Sequence, residues 1–405
     1  MNLLSIEEAW GKIRALAQPL PTVVRRLEEA EGFVLAEQVR APIDLPPFDN
    51  SAMDGYALRA EDTVAASADQ PVSLSVVGEV RAGRWRSEPI APGTAVNIMT
   101  GAPLPAGADA VLMLESGRLR DGHVEIRESV PRGKHVRQRG EDVRHHDVLL
   151  EAGMRLNAQR LGLLSGNGIV RVRVHRRPVV SLIATGSELV EPGHPLGPGQ
   201  IYDSNRIVLR SLLAPTGSEW HDLGVVPDDR AVIAQRLRAA LRADVTLISG
   251  GVSVGAHDHV KDVLRELGVE TVFWRVNMKP GKPLFCGRLG ERWVFGLPGN
   301  PISCVVGFLV FIEPLIRILR GERSAALRTH PARLTRAVRK QDERTVFLTA
   351  QVEVASDGML QATPTEQQGS AMMQALAQAN AFVMVPAQRM TMEAGERVEV
   401  LLLDA

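Results

Sequence analysis

From Pro178 onward, short apolar runs alternate with helical ones, and this alternation limits the fold more than any other feature of the chain. Residues 179–183, 220–223 and 245–249 read as strands. Residues 204–213, 230–241, 258–267 and 302–319 read as helices. Strands that alternate with helices form a largely parallel sheet covered on both faces. Ligands of such sheets bind beyond the carboxyl ends of the strands, and the glycine-rich turns of this region fall at those ends.

The run from Leu247 to Asp258 is the clearest of them. An apolar strand stops at Ser249-Gly250-Gly251, Ser253 and Gly255 follow, and Asp258 opens a helix. Glycines let the backbone approach a ligand and turn its N–H groups toward an anion, while Asp258 suits a helix cap or a metal. A second turn, Gly296-Leu297-Pro298-Gly299-Asn300-Pro301, also leads from a strand into a helix. Between the two lies Lys279-Pro280-Gly281-Lys282-Pro283, a stiff turn that fixes two ammonium groups near one point. That arrangement suits an oxyanion or a transferring phosphoryl group. Turns for anions, lysines for phosphate and a carboxylate for metal together indicate a site for a phosphorylated small molecule.

Other polar clusters sit at strand ends. Thr185-Gly186-Ser187-Glu188 offers two hydroxyls and a carboxylate after the strand at 179–183. Asp203 or Ser204 caps the helix that follows them, and Asp229 suits a cap of the next, leaving Asp228 to face the site. Asp228 gains weight as a metal ligand if Asp258 and Asp142 lie near it, because Mg²⁺ takes a few carboxylates with phosphate oxygens and water. Residues 48–57, which include Asp54, the Met99-Thr100-Gly101 run and Arg139-Gly140-Glu141-Asp142 are equally consistent with turns and with a site. There is no Walker loop and no Ser/His/Asp arrangement, and His145-His146 lacks metal-ligand spacing.

A chain of 405 residues is too long for one ordinary core, so two to four domains are expected. Basic and acidic residues both total 47, which argues against general nucleic-acid or anionic-membrane binding. Cys286 and Cys304 read as buried free thiols in a reducing compartment. No secretory signal opens the sequence, and Glu313-Pro314 stops its longest apolar run short of a membrane span, so a soluble cytoplasmic protein is expected. Residues 4–40 read as helical, with Ser5 and Glu8 as a capping box. Residues 43–145 form a compact mostly-β module. Residues 146–177 are expected to return and pack with the N-terminal helix, which makes that module an insertion. Residues 328–405 revert to strands.

Taken together, these runs resemble the molybdopterin molybdenumtransferase family, which includes the E domain of gephyrin. The matching runs are 48–57, 99–103, 139–142, 185–189, 200–206, 249–255 with Asp258, 279–283 and 296–301, in the family's order. The resemblance implies an α/β plus β multidomain fold. Its parts would be an elongated helical linker domain (1–42 and 146–177), an inserted β-module (43–145), a doubly wound molybdopterin-binding α/β domain (178–327) and a C-terminal β-barrel-like domain (328–405). It implies a homodimer whose active sites lie between the α/β domain of one subunit and the inserted module of the other. The implied reaction inserts molybdate into adenylylated molybdopterin, with Mg²⁺ required and AMP released. A separate molybdopterin adenylyltransferase is an implied partner. Asp54, Thr100 and Asp142 would come from the partner subunit, and Glu188, Asp228, Asp258, Lys279 and Lys282 from the α/β domain. Asp142, Asp228 and Asp258 would serve Mg²⁺. Thr185, Ser187, Ser249, Gly250, Gly251, Ser253, Gly255, Pro298, Gly299, Asn300 and Ser370 would bind the pterin substrate and its oxyanions. Members often carry an arginine where this chain has Thr349; its loss weakens the oxyanion pocket, or Arg344 takes its place. The rival readings are a molybdopterin adenylyltransferase, which has no need of residues 1–177 and 328–405, and a non-catalytic assembly scaffold.

Overall fold

A computed structural model describes residues 3–251 and 259–403. Ser253, Gly255 and Asp258 therefore lie outside the described residues.

The α/β sheet has the strand order Glu219–Val226, Val179–Thr185, Val245–Ser249, Arg292–Leu297, Phe285–Leu289, Glu270–Trp274. The first four strands are parallel, and Phe285–Leu289 runs against both of its neighbours. The central strand Val245–Ser249 is buried throughout, as its unbroken apolar sequence requires. One face packs the helices Asn205–Leu213 and Pro301–Gly307, and the other packs Arg230–Ala240 and His259–Glu266. Strand order reverses between Val179–Thr185 and Val245–Ser249, the place where sheets of this kind open a crevice.

The last helix passes through Glu313-Pro314, as its reading over 302–319 requires. It runs as Pro301–Gly307, a wide π turn over Phe308–Ile312, and Glu313–Leu319. The wide turn carries the Glu313 N–H back to the Phe308 carbonyl, so the missing N–H of Pro314 breaks no ladder bond that the chain needs. The helix is buried among Phe273, Phe295 and Leu297, which marks it as a core helix.

At the N-terminus the helix covers only Ile6–Leu16, with the Ser5/Glu8 capping box formed. Pro19 and Pro21 end the helical stretch, and the β-branched Thr22-Val23-Val24 continues as the strand Thr22–Arg26. That strand, not the helix, pairs with the returning strand Arg171–His175. The helix instead buries Ile6, Ala9 and Ile13 in the α/β core, with the Trp10 ring tilted 58° to that of Phe311 and their centroids 6.4 Å apart. Its amphipathic face finds the larger apolar surface there.

The inserted module is a six-stranded sheet in the order Ala110–Met113, Gly55–Leu58, Thr94–Ile98, Val72–Val80, His123–Ile126, Gly117–Arg120. In the C-terminal unit the strands Thr345–Val354, Leu360–Pro364, His330–Leu334, Arg397–Leu402 and Ala381–Val385 close into a barrel, because the last pairs back onto the first. Met278–Lys279 joins that barrel from the α/β domain, with Met278 opposite Thr345 and Lys279 opposite Val346. This pairing sets the lysine turn against the barrel wall.

Candidate active site

The strand-end turns are held by a small set of hydrogen bonds. Gly250 and Gly251 have φ of +89° and +61°. A Cβ on Gly250 would lie 2.4 Å from the Thr185 carbonyl oxygen, so only glycine fits that approach. The Gly250 N–H donates to Leu297 O at 3.0 Å. Asn205 Nδ2 donates to Ser249 Oγ at 2.9 Å and to Gly299 O at 2.7 Å, tying the two glycine-rich turns together. Ser249 Oγ also lies 3.7 Å from Cys304 Sγ, whose own S–H meets Pro298 O at 3.0 Å. Burial pushes the Cys304 thiol up to about 12, so it stays protonated and structural. Ser249 is thus turned inward, onto Asn205. Thr185 Oγ1 and Asn205 Oδ1 are buried without a hydrogen-bond partner among the described residues. Unpaired polar atoms at a strand-end crevice are what a polar ligand would satisfy. Asn205 lies within the matching run at 200–206, but nothing in a single sequence separates it from its cap-forming neighbours.

Beside this crevice, Ser187 N–H donates to Asp228 Oδ2 at 3.1 Å, and Asp228 N–H donates to Ser187 Oγ at 2.9 Å. The reciprocal pair joins two neighbouring strand ends and, among the described residues, leaves Asp228 Oδ1 uncommitted. The Glu188 carboxylate folds over Gly186, within 2.6 Å of where a Cβ would stand. Asp229 caps its helix through Val232 N–H. Asp203 is turned in to Arg206 at 2.8 Å, and Ser204 caps without a side-chain bond.

The lysine turn opens on a cleft of about 950 Å³ between the α/β domain and the barrel. Lys279, Lys282, Pro298, Asn300 and Ser303 line one side, and Arg339, Arg344, Thr349 and Ser370 the other. Asn300 Nδ2 donates to Ser370 Oγ at 2.9 Å, and Ile302 N–H to Ser370 O at 3.1 Å, so the Gly-Asn-Pro turn and the barrel meet at Ser370. Lys279 and Arg344 share one carboxylate, Asp342, at 3.0 Å each. Burial would raise the Asp342 carboxyl, but hydrogen bonds from Arg344 and Lys279 outweigh it and hold it at about 2. Thr349 is buried and closed onto Thr365 Oγ1 at 2.6 Å and Gln368 Oε1 at 3.2 Å. It brings no charge to the cleft, and Arg344 is committed to Asp342.

Asp54, Thr100 and Asp142 sit apart from all of this. Asp54 Oδ1 accepts from Thr100 N–H at 2.6 Å and Thr100 Oγ1 at 2.7 Å, and these bonds lower its pKa. Asp142 is exposed on its own turn. Among the described residues no hydrogen bond or ion pair joins the three to Glu188, Asp228, Lys279 or Lys282. No residue of the inserted module lines the cleft.

Known proteins are similar to this chain in sequence and fold. Three family models match the chain: the MoeA N-terminal region (domain I and II) over residues 4–168, a probable molybdopterin binding domain over 181–318, and the MoeA C-terminal region (domain IV) over 331–403. A molybdopterin molybdenumtransferase of Haemophilus influenzae is 38% identical over 402 residues, 98% of each chain. One of Bacillus subtilis is 35% identical, over 99% of this chain and 94% of its own. The crystal structure of a molybdopterin biosynthesis moea protein from Pyrococcus horikosii aligns with a TM-score of 0.85 at 34% identity, covering 100% of both chains. By sequence along nearly its whole length and by fold, the chain belongs to the molybdopterin molybdenumtransferase family, transferases of molybdenum cofactor biosynthesis.

Proposed function

We propose that the substrate of this transferase is adenylylated molybdopterin, that molybdate is inserted at its dithiolene, and that hydrolysis of the phosphoanhydride releases AMP. The observation that carries the reading is the joining of the cationic cleft to the glycine-rich strand ends through Asn300 and Ser370. The Ser249–Gly251 turn presents backbone to the pterin phosphate, with Thr185 Oγ1 and Asn205 Oδ1 as buried polar atoms that have no partner among the described residues. Lys282 faces the oxyanion, while Lys279 is steadied by Asp342.

Mg²⁺ fits this donor set. Among the described residues no three His, Cys, Asp or Glu side chains gather closely enough to hold a metal alone. Mg²⁺ is commonly held by one or two carboxylates together with substrate phosphate and water. Asp228, with one oxygen uncommitted among the described residues, and Asp258 would hold it beside the pyrophosphate. When bound, the ion would neutralise charge developing there.

The active unit in this reading is a cytoplasmic homodimer in which the partner's inserted module brings Asp54, Thr100 and Asp142 to the cleft. Support comes from the cleft's lining, to which the chain's own module contributes nothing. Transfer from a separate adenylyltransferase follows naturally, because the substrate is an activated product of such an enzyme. Mixing inactive Asp54→Ala and Asp228→Ala proteins tests the shared site. Subunit exchange should restore one intact site per mixed dimer, and exchanged dimers that stay inactive would refute it.

A further inference from the structure

Among the described residues, six cations line the cleft between the lysine turn and the barrel: Lys279, Lys282, Arg336, Arg339, Lys340 and Arg344. Four of them are engaged within the protein. Lys279 and Arg344 share the Asp342 carboxylate. Lys340 Nζ donates to the carbonyls of Arg344, Pro386 and Ala387 at 2.5, 2.7 and 3.0 Å, which uses all three of its hydrogens. Arg336 Nη2 donates to the Pro364 carbonyl. Lys282 and Arg339 are exposed, and neither side chain has an ion pair or hydrogen bond among the described residues. They come from opposite walls. Lys282 is on the turn that enters the α/β sheet, and Arg339 ends the short strand Val338–Arg339, which pairs with Thr391–Met392 on the barrel side.

We propose that Arg339 is an oxyanion-binding residue of this cleft, acting across it from Lys282 to hold a tetrahedral inorganic dianion such as molybdate. The inference rests on the transferase reading above and names which charges serve it. Lys282 and Arg339 have all their side-chain donors available to a dianion, whereas the other four already spend donors on carboxylate or carbonyl oxygen. The guanidinium fork can donate two parallel N–H bonds to a tetrahedral oxyanion, which the lysine's point charge cannot. Ser370 Oγ, which accepts from Asn300, keeps its hydroxyl hydrogen for the same ligand. Because the two cations belong to different domains, the bound anion also bridges them.

The test is molybdate binding to the full chain by titration calorimetry, with wild type, Arg339→Gln, Arg339→Lys, Lys282→Gln and Arg333→Gln. Arg333 pairs with Asp357 outside the cleft and serves as the control. Loss of a charged hydrogen-bonding partner should weaken binding about tenfold or more in Arg339→Gln. Arg339→Lys should fall between it and wild type, and Arg333→Gln should bind normally. In turnover, Arg339→Gln should raise the KM for molybdate and leave kcat at saturating molybdate, with an unchanged melting temperature. Wild-type affinity in Arg339→Gln, with binding lost in Lys282→Gln, would overturn the role of Arg339 and leave the transferase reading standing. Absence of molybdate binding by the wild type at millimolar concentration would overturn both.

Discussion

Asp342 holds two cations of the cleft in place, and its protonation is therefore a handle on the site. Its folded pKa of about 2 lies below the ordinary 3.8, so between those values the unfolded chain binds more protons than the folded one. The stability that Asp342 contributes is complete above about pH 4 and is lost as pH falls through 2. Asp342→Asn should therefore melt below wild type at neutral pH, and the gap should narrow toward pH 2.5. A gap constant across that range would show that the carboxylate charge does not matter. This residue was invisible in the sequence because its partner Lys279 stands 63 positions away. Lys279, Lys282 and Asp228 could be singled out because local chain chemistry marked them, by prolines in one case and a helix start in the other. Asn205 could not, since its significance is its reach to Ser249 and Gly299 across the sheet.

At the scale of elements, the parallel sheet was legible because a buried strand and an amphipathic helix have different periods, and glycines punctuate the strand ends. The N-terminal region misled for a related reason. Helical periodicity is real over Ile6–Leu16, but Pro19, Pro21 and the β-branched Thr22-Val23-Val24 carry the chain into a strand. Pro314 did not break the helix read over 302–319, because a π turn absorbs it. The turn at Gly250 makes a sharper claim. Gly250→Ala meets both a positive φ and a carbonyl 2.4 Å away, and should cost about 2–4 kcal/mol from strain and overpacking together. Gly83 has a comparable φ of +76° with nothing within 4 Å, and Gly83→Ala should cost only about 1 kcal/mol. Urea unfolding of both variants decides the matter. Equal losses would mean that the close approach to Thr185 is not what fixes this turn.

The whole molecule is assembled by contacts that no local pattern encodes. The barrel closes because Ala381–Val385 pairs with Thr345–Val354, and the α/β domain joins it through Met278–Lys279. Arg320, buried, donates to Thr216 O and Gly32 O and pairs with Glu322, so one guanidinium links the α/β domain to the N-terminal strands. The cleft exists only after these joints form, and its lining is drawn from the segments 279–303, 336–349 and 364–370. Composition and periodicity alone divided the chain into a helical start, an inserted β-module, a parallel-sheet region and a C-terminal β-region; the family resemblance added the homodimer and its shared site. The most direct test of the whole is AMP release from adenylylated molybdopterin by the purified chain with Mg²⁺, with and without molybdate. AMP release that depends on molybdate, with molybdenum retained on the pterin, is the expected result. Tight pterin binding with no AMP released, or consumption of ATP with unadenylylated molybdopterin, would contradict it.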